Sequence, residues 1–435
     1  MSTTARKKRS TQRGRSTKRS KERLRSKQPT SSYYIHHTDK DMLLLIPSNR
    51  DLDETETVCI RKRCRVPEPL AKESRTDFGW GSIIPVEILH RVFQLLSEGD
   101  GAVPVMCRLS QVCRLWREVA SSPDLWRSVT VSRCWSLPGA KDPPRVQKKV
   151  TQTMEALIQQ RLPQVSDFTL HHWKNHVTFV LKCLSESCPL LDSLSLLHCS
   201  QVMLEDLLSV GQGCPQLQSL NLQNSKVLRL LNIFWQTRPL PRDSVDAPGF
   251  PELQELCLGT CGHSSVNDGV LQRLLRGSSK LRVLDLRGCQ RITPRGLWDL
   301  PCTDLEHIFL GLYCSSSITP SLQSGLHLLI SKWHHSLQEL DLASQIYEDD
   351  DLEKALSYFS QGGTNNLLSS LNLSGTRVTS NTVRGILLNC KALTHFDLAS
   401  CRNLPRRLKR VYRGREEMAQ CLDDITKALQ EMEDQ

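Results

Sequence analysis

Long apolar runs are missing from this chain. The longest is five residues, Met42–Ile46, where ~20 are needed to span a bilayer, so no membrane segment is expected. Aromatic residues are scarce at 5%. Acids are almost absent from the start: residues 1–27 hold 12 Lys/Arg and the single acid Glu22. No apolar stretch follows that basic start, which argues against a secretion signal. The 17 cysteines then read as reduced thiols of the cytosol or nucleus, and an intracellular soluble protein is expected. Sites that carry chemistry are missing as well. No Cys-x-x-Cys pair, metal-binding His-Glu-x-x-His helix, Ser/His/Asp order or phosphate-cradling glycine loop occurs. The nearest approach to a metal site, Cys257-x3-Cys261-x-His263, straddles a strand and its turn and reads as structural. No catalytic residue, cofactor or metal is expected.

What is present is unevenly spread. The first 27 residues carry a charge of +11, while the other 408 hold 45 basic and 45 acidic side chains and are neutral. Residues 1–76 are too polar to offset chain entropy and read as a mostly disordered basic region, with one apolar island at 33–46. Arg6, Lys7, Lys8 and Arg9, with the run that follows, have the form of a nuclear or nucleolar targeting signal. Two other readings stand: nonspecific contact with nucleic acid through phosphates, and a solvated tail. No aromatic interleaves these charges, so base stacking is not expected.

Folded sequence begins near Phe78. Pro85 and Glu87 suit a helix start, and Ile88, Leu89, Val92, Phe93 and Leu96 share one apolar face. A Glu-Gly-Asp-Gly turn ends that helix. Val105, Leu109, Val112, Cys113, Trp116, Val119 and Ala120 predict a second helix, and Ser122-Pro123 starts a third with Leu125 and Trp126. The series Pro85-x-Glu87-Ile88-Leu89, Val92-Phe93, Leu96, Gln111-Val112-Cys113-Arg114-x-Trp116 and Pro123-x-Leu125-Trp126 resembles the F-box motif, over about 50 residues. The turn after Leu96 is longer than usual for that motif.

Downstream, Leu-x-x-Leu-x-Leu recurs. Residues 151–400 hold 51 leucines, and the other 185 positions hold 17. First positions fall at Val165, Leu191, Leu217, Leu253, Leu281, Leu305, Leu337, Leu368 and Leu393, on average 28.5 residues apart. This is similar to the leucine-rich repeat, whose period is roughly 20–29 residues. Each copy is expected to form a strand with its apolar residues inward, followed by a returning helix; Thr293 and Thr379 are expected to cap two of them. Cys199, Cys261, Cys289 and Cys401 follow the repeat, and Cys188, Cys214, Cys302 and Cys390 precede it, at phases that resemble the cysteine-containing subtype. In that subtype the thiol packs and bonds backbone at the turn. The expected fold is α/β: a small helical F-box bundle followed by a curved solenoid, parallel strands inside and helices outside. The boundaries read as 1–76 for the basic region, 77–130 for the F-box, 131–160 for a linker helix, 161–415 for the repeats and 416–435 for a capping helix.

An F-box followed by such repeats resembles the substrate-recognition subunits of SCF-type cullin–RING ubiquitin ligases. The resemblance implies that Pro85, Glu87, Ile88, Leu89, Val92, Phe93, Leu96, Val112, Cys113, Trp116, Leu125 and Trp126 build a docking site for the Skp adaptor. Cullin and RING subunits would follow through the adaptor, and the chain itself would supply proximity, without chemistry. The repeats would hold the protein to be ubiquitinated on their concave side. Glu255, Asp285, Phe309, Glu339, Asp341, Asn372 and Asp397 lie there, a mildly acidic set suited to a basic partner segment. Aspartate is also common at these positions for backbone reasons, and both readings stand. The rival from another class is a nuclear scaffold or RNA-associated repeat protein with no ligase role.

One interval departs from the pattern. Thirty-six residues separate Leu217 from Leu253, and Leu228-x-Leu230 begins a strand motif only six residues after Leu222. Two such strands cannot both join a parallel sheet, since a parallel crossover takes a dozen or more residues. Related proteins are longer here, which implies missing repeats between Ser225 and Leu228. The expectation is weak order over 224–250 and a solenoid split into two stacks.

Overall fold

The computed structural model describes residues 34–37, 42–45, 84–132, 144–227, 249–261, 264, 266–313, 322–360, 367–406 and 408–433. Two compact units divide at Lys62. In the first, β1 (Tyr34–His37) pairs antiparallel with β2 (Met42–Leu45), Tyr34 opposite Leu45 and His37 opposite Met42. The apolar island thus supplies a hairpin. The remainder of 1–76, Arg6, Lys7, Lys8 and Arg9 among it, lies outside the described residues.

The second unit opens with three short helices, α1 (Val86–Asp100), α2 (Ala102–Leu109) and α3 (Arg114–Val119), and a 3-10 turn at Pro123–Trp126. The single second helix expected over Val105–Ala120 is therefore two. A turn over residues 110–113 interrupts it, because the Cys113 Sγ accepts the Trp116 N–H at 3.5 Å and starts a fresh helix. The first helix also runs past its expected turn to Asp100, where Gly101, at φ 83, ends it. Only glycine takes that backbone conformation without strain.

Strand β3 (Ser128–Ser132) follows at once and is already part of the main sheet. The region expected to be a linker helix thus contains this strand and then α4 (Pro144–Arg161), and the sheet begins before residue 161. Strands β4 (Asp167–His171), β5 (Ser193–Leu197), β7 (Ser219–Asn221), β9 (Glu255–Cys257), β10 (Val283–Asp285), β11 (His307–Phe309), β12 (Glu339–Asp341), β13 (Ser370–Asn372) and β14 (His395–Asp397) continue it in parallel. The strand β15 (Val411–Arg413) follows antiparallel, making eleven strands in this sheet among the described residues. Returning helices are α5 (Val177–Ser187), α6 (Leu204–Gly213), α7 (Asp268–Leu274), α8 (Pro294–Trp298), α9 (Leu326–Trp333), α10 (Asp349–Ser360) and α11 (Ser380–Asn389), and α12 (Gly414–Glu433) ends the chain.

Register explains the leucines. Phe168, Leu194, Leu220, Leu256, Leu284, Ile308, Leu340, Leu371, Phe396 and Tyr412 stand side by side on successive strands. All are buried against the helix layer. Neighbouring repeats are also stitched through side chains. The Cys188, Cys199, Cys214, Cys289 and Cys401 thiols donate to the carbonyls of Leu162, Leu170, Cys188, Leu258 and Leu373 at 3.1–3.5 Å. Ser278 and Ser336 hydroxyls make the same kind of link to Phe250 and Leu305. Carboxylates join helix starts across repeats. Asp268 accepts the Thr293 N–H and hydroxyl, and Asp351 accepts the Leu326 and His327 N–H groups. Thr293 and Thr379 cap their helices as expected.

The expected split does not occur. Strand β7 pairs directly with β9, Leu220 opposite Leu256, so one sheet runs across the 36-residue interval. Lys226–Val227 forms β8 and pairs with β6 (Ser200–Val202) outside the main sheet, which removes the competition for a place in it. Leu228 and Leu230, with the rest of 228–248, lie outside the described residues. The chain re-enters at Gly249, whose N–H donates to the Arg276 carbonyl, and the buried Phe250 packs on Gly211. A methyl group on Gly211 would sit 2.7 Å from the Gly249 oxygen, so the fit needs glycine.

Two outcomes follow from this packing. Leu256→Ala, at the junction that joins the two halves, should cost ~2–5 kcal/mol through the cavity it leaves, read as a lower midpoint in chemical denaturation. Burial pushes the Cys188 and Cys421 thiols up to about 12 and those of Cys199, Cys214, Cys289 and Cys302 up to about 11. Only the thiolate reacts, so iodoacetamide at pH 8 should spare these six and label the exposed Cys113 and Cys261, as peptide mass spectrometry would show.

Candidate partner-binding surfaces

Helix α1 is apolar on two sides. Leu89 and Phe93, four residues apart, point into the bundle and are 2% and 0% exposed. Ile88, Val92, Leu95 and Leu96 recur at the same helical spacing on the other side. They stay open, Ile88 at 57%. Val86 in the first turn is exposed as well but lies on another side of the helix from Ile88, and Val112, 60% exposed, comes from the turn that breaks the expected helix. The result is an uncovered strip of four aliphatic side chains along α1, with exposed Pro85, Val86 and Glu87 in the first turn beside it. Water would be released from all of it by a partner.

The residues expected to dock the adaptor thus divide by burial. Pro85, Glu87, Ile88, Val92, Leu96, Val112 and Cys113 face outward. Leu89, Phe93, Leu125 and Trp126 are core and cannot touch a partner. Trp116 is half-buried, its ring edge-on to Phe93 at 5.2 Å, and the Trp126 Nε1–H donates to the Ala120 carbonyl at 2.9 Å. Leu95, three residues after Val92 and so on the same face, belongs to the strip although the expected set omits it.

The second surface is the sheet face opposite the helices. Thr169, Ser195, Asn221, Cys257, Asp285, Phe309, Asp341, Asn372 and Asp397 align there in one row. The backbone reading of its acids and amides holds in part. Asn221, Asp285, Asp341, Asn372 and Asp397 each accept the N–H two residues on, fixing the turn that leaves the strand. Asp285 is further held by both arms of Arg287, at 2.9 and 2.6 Å. That guanidinium lies 5.2 Å over the Phe309 ring, and its Asp285 hydrogen bonds keep it firmly protonated. Asp341 is 5% exposed; burial raises its carboxyl, opposed by hydrogen bonds from Tyr313 and the Ala343 N–H. Glu255 and Glu339 lie in the neighbouring row with His307, whose Nδ1 sits 3.4 Å from the Glu339 carboxylate.

Tyr313 is absent from every repeat pattern, yet it stands on this face. Its hydroxyl donates to Asp341 at 2.6 Å and accepts from the Asn372 amide at 2.9 Å. Burial and the Asp341 carboxylate raise its pKa, so it stays a phenol. Gly311 makes room, since an added Cβ would lie 2.6 Å from the Tyr313 ring.

Residues 82–132 match the F-box-like family, which covers the three helices, the 3-10 turn and β3. Over 367 residues the chain is 25% identical to "F-box/LRR-repeat protein 4" of Bos taurus, spanning 73% of this chain and 53% of that protein. Residues 82–132 therefore form an F-box-like segment, and the strands and helices beyond it have leucine-rich-repeat architecture. The chain spans about half the length of the relative it matches. Among solved structures it is similar to "Crystal structure of Rad7 and Elc1 complex in yeast", at 17% identity and a TM-score of 0.30, covering 78% of this chain and 85% of the other.

Burial sets the energetic order within this F-box. Phe93→Ala should cost ~3–5 kcal/mol and Trp116→Ala distinctly less, because a half-exposed ring leaves a cavity that water can enter. Thermal melts of the two variants check the ranking.

Proposed function

We propose that this chain is the substrate-recognition subunit of an SCF-type cullin–RING ubiquitin ligase. In this reading the α1 strip docks on a Skp adaptor, and the repeats hold the protein to be ubiquitinated. The carrying observation is the strip itself: four aliphatic side chains, Ile88, Val92, Leu95 and Leu96, left open along one face of α1, within a segment that matches an F-box. The F-box-like match and the likeness to an F-box/LRR-repeat protein support a recognition role of this general kind, one without catalysis of its own. The chain's contribution is then to convert transfer between two molecules into transfer within one assembly. Cullin and RING subunits enter through the adaptor.

The test uses side chains that the fold does not need. Ile88→Asp with Val92→Asp should abolish co-purification of the adaptor and leave the melting temperature nearly unchanged, since both positions are open. Leu89→Ala is a poor probe, because Leu89 is core and its loss destabilises the bundle. Undiminished adaptor binding by the double aspartate variant would sink the ligase reading. For the basic start we propose nuclear targeting: deleting residues 1–27, which carry +11, should shift a fluorescent fusion from nucleus to cytoplasm.

A further inference from the structure

The sheet face opposite the helices is not uniform. Its outward positions on β3 to β7 are mostly Ser, Thr and Asn. From β9 onward they carry Glu255, Asp285, Glu339, Asp341 and Asp397 against Arg413 and, just beyond β10, Arg287. Five acids less two bases leave a net charge of −3. Asp285 is matched by Arg287, so the surplus belongs to the strands from β11 to β14 and to Glu255.

Tyr313 is the independent feature of this half. It is 57% exposed and is pinned to two strands by its hydrogen bonds to Asp341 and Asn372. Rigid, half-open aromatic rings beside polar groups are the usual energetic centres of protein interfaces. Strands lie ~4.8 Å apart, so Asp397 stands roughly 10 Å along the row from Asp341, to which Tyr313 is bonded. A guanidinium or ammonium laid on the ring would lie within the field of that carboxylate. The ring quadrupole and the carboxylates both select a cation, whereas an acidic or plain apolar segment gains nothing from the second. Phe309 already shows the arrangement, carrying Arg287 on its face.

We propose that this half of the sheet face takes an extended, arginine- or lysine-bearing segment of a partner protein, with Tyr313 as its anchor. The inference rests on the repeats being the target-holding surface and specifies the chemistry of what they hold.

The experiment uses the full chain co-purified with its adaptor and reads fluorescence anisotropy of labelled (Gly-Arg)4, (Gly-Lys)4 and (Gly-Glu)4 peptides. The two basic peptides should bind, more weakly as salt rises, whereas any hold of the basic residues 1–27 on the acidic one should be indifferent to Tyr313. Tyr313→Ala should weaken basic-peptide binding about tenfold, as loss of a cation–π anchor does. Tyr313→Phe, which keeps the ring and loses its two hydrogen bonds, should fall between. Asp397→Asn should weaken binding about threefold through loss of one attractive charge near the surface. Acidic-peptide binding that falls in Tyr313→Ala as far as basic-peptide binding does, or unchanged basic-peptide affinity in both Tyr313→Ala and Asp397→Asn, overturns the proposal. Adaptor retention is read in the same samples. Loss of peptide binding with the adaptor held leaves the ligase reading standing, and failure to hold the adaptor removes that reading instead.

Discussion

A leucine-rich repeat cannot cover its own inward row, and everything else in this fold answers that constraint. Each strand brings one central side chain, Leu194, Leu220, Leu256 and so on, that is dry only when repeats stand on both sides. Interior repeats supply this to each other. The ends have no neighbour of their own kind. At one end Val129 and Val131 of β3 are buried with Met106, Trp126 and Trp173, and the Trp173 indole donates to the Val131 carbonyl. At the other, Tyr412 of β15 is covered with Cys421 and Ile425 of α12. The edge then falls to β15, which is three residues long and runs straight into α12, and so short an edge offers little to pair with.

The F-box-like segment is thus a cap as well as the proposed docking module. The matched residues end in β3, and α2, on which the strip-bearing α1 packs, lies against that first strand of the sheet. Residues that look like adaptor contacts in the sequence, Leu89, Phe93 and Trp126, serve the core, and the outward set is their helical complement. The two roles interleave along one helix because α1 has apolar residues on both sides.

Periodicity made the architecture legible. The Leu-x-x-Leu-x-Leu frame located nine strands and the side that each buries, and Thr293 and Thr379 marked helix starts. It could not separate Leu89 from Ile88, since an apolar residue reads the same whether a core or a partner covers it. It placed one helix where two exist, because the apolar spacing runs on through 110–113 and the break depends on a thiol acting as a cap. It also missed β3, whose Ser-Val-Thr-Val-Ser lacks leucine. The apparent collision at Leu228 misled for a related reason: β8 has strand geometry, yet its partner is β6, and pairing choice is a tertiary matter that a repeat frame does not encode.

The sheet face carries the same ambiguity at the level of charge. An aspartate in the central row is fully accounted for by the turn it caps, as Asp341 and Asp397 show with the N–H groups of Ala343 and Ala399. Its negative charge exists all the same and projects from the face, because a turn N–H satisfies a lone pair without neutralising the carboxylate. Structural and recognitional roles therefore do not compete for these residues. Asn221 and Asn372 cap the same turn without charge, so the backbone is indifferent to which of the two stands there. The choice of aspartate over asparagine is then free to set the field of the surface. That freedom is used unevenly along the row, uncharged toward the F-box and acidic toward α12. Tyr313 stands in the acidic half, with its phenol bound to one residue of each kind.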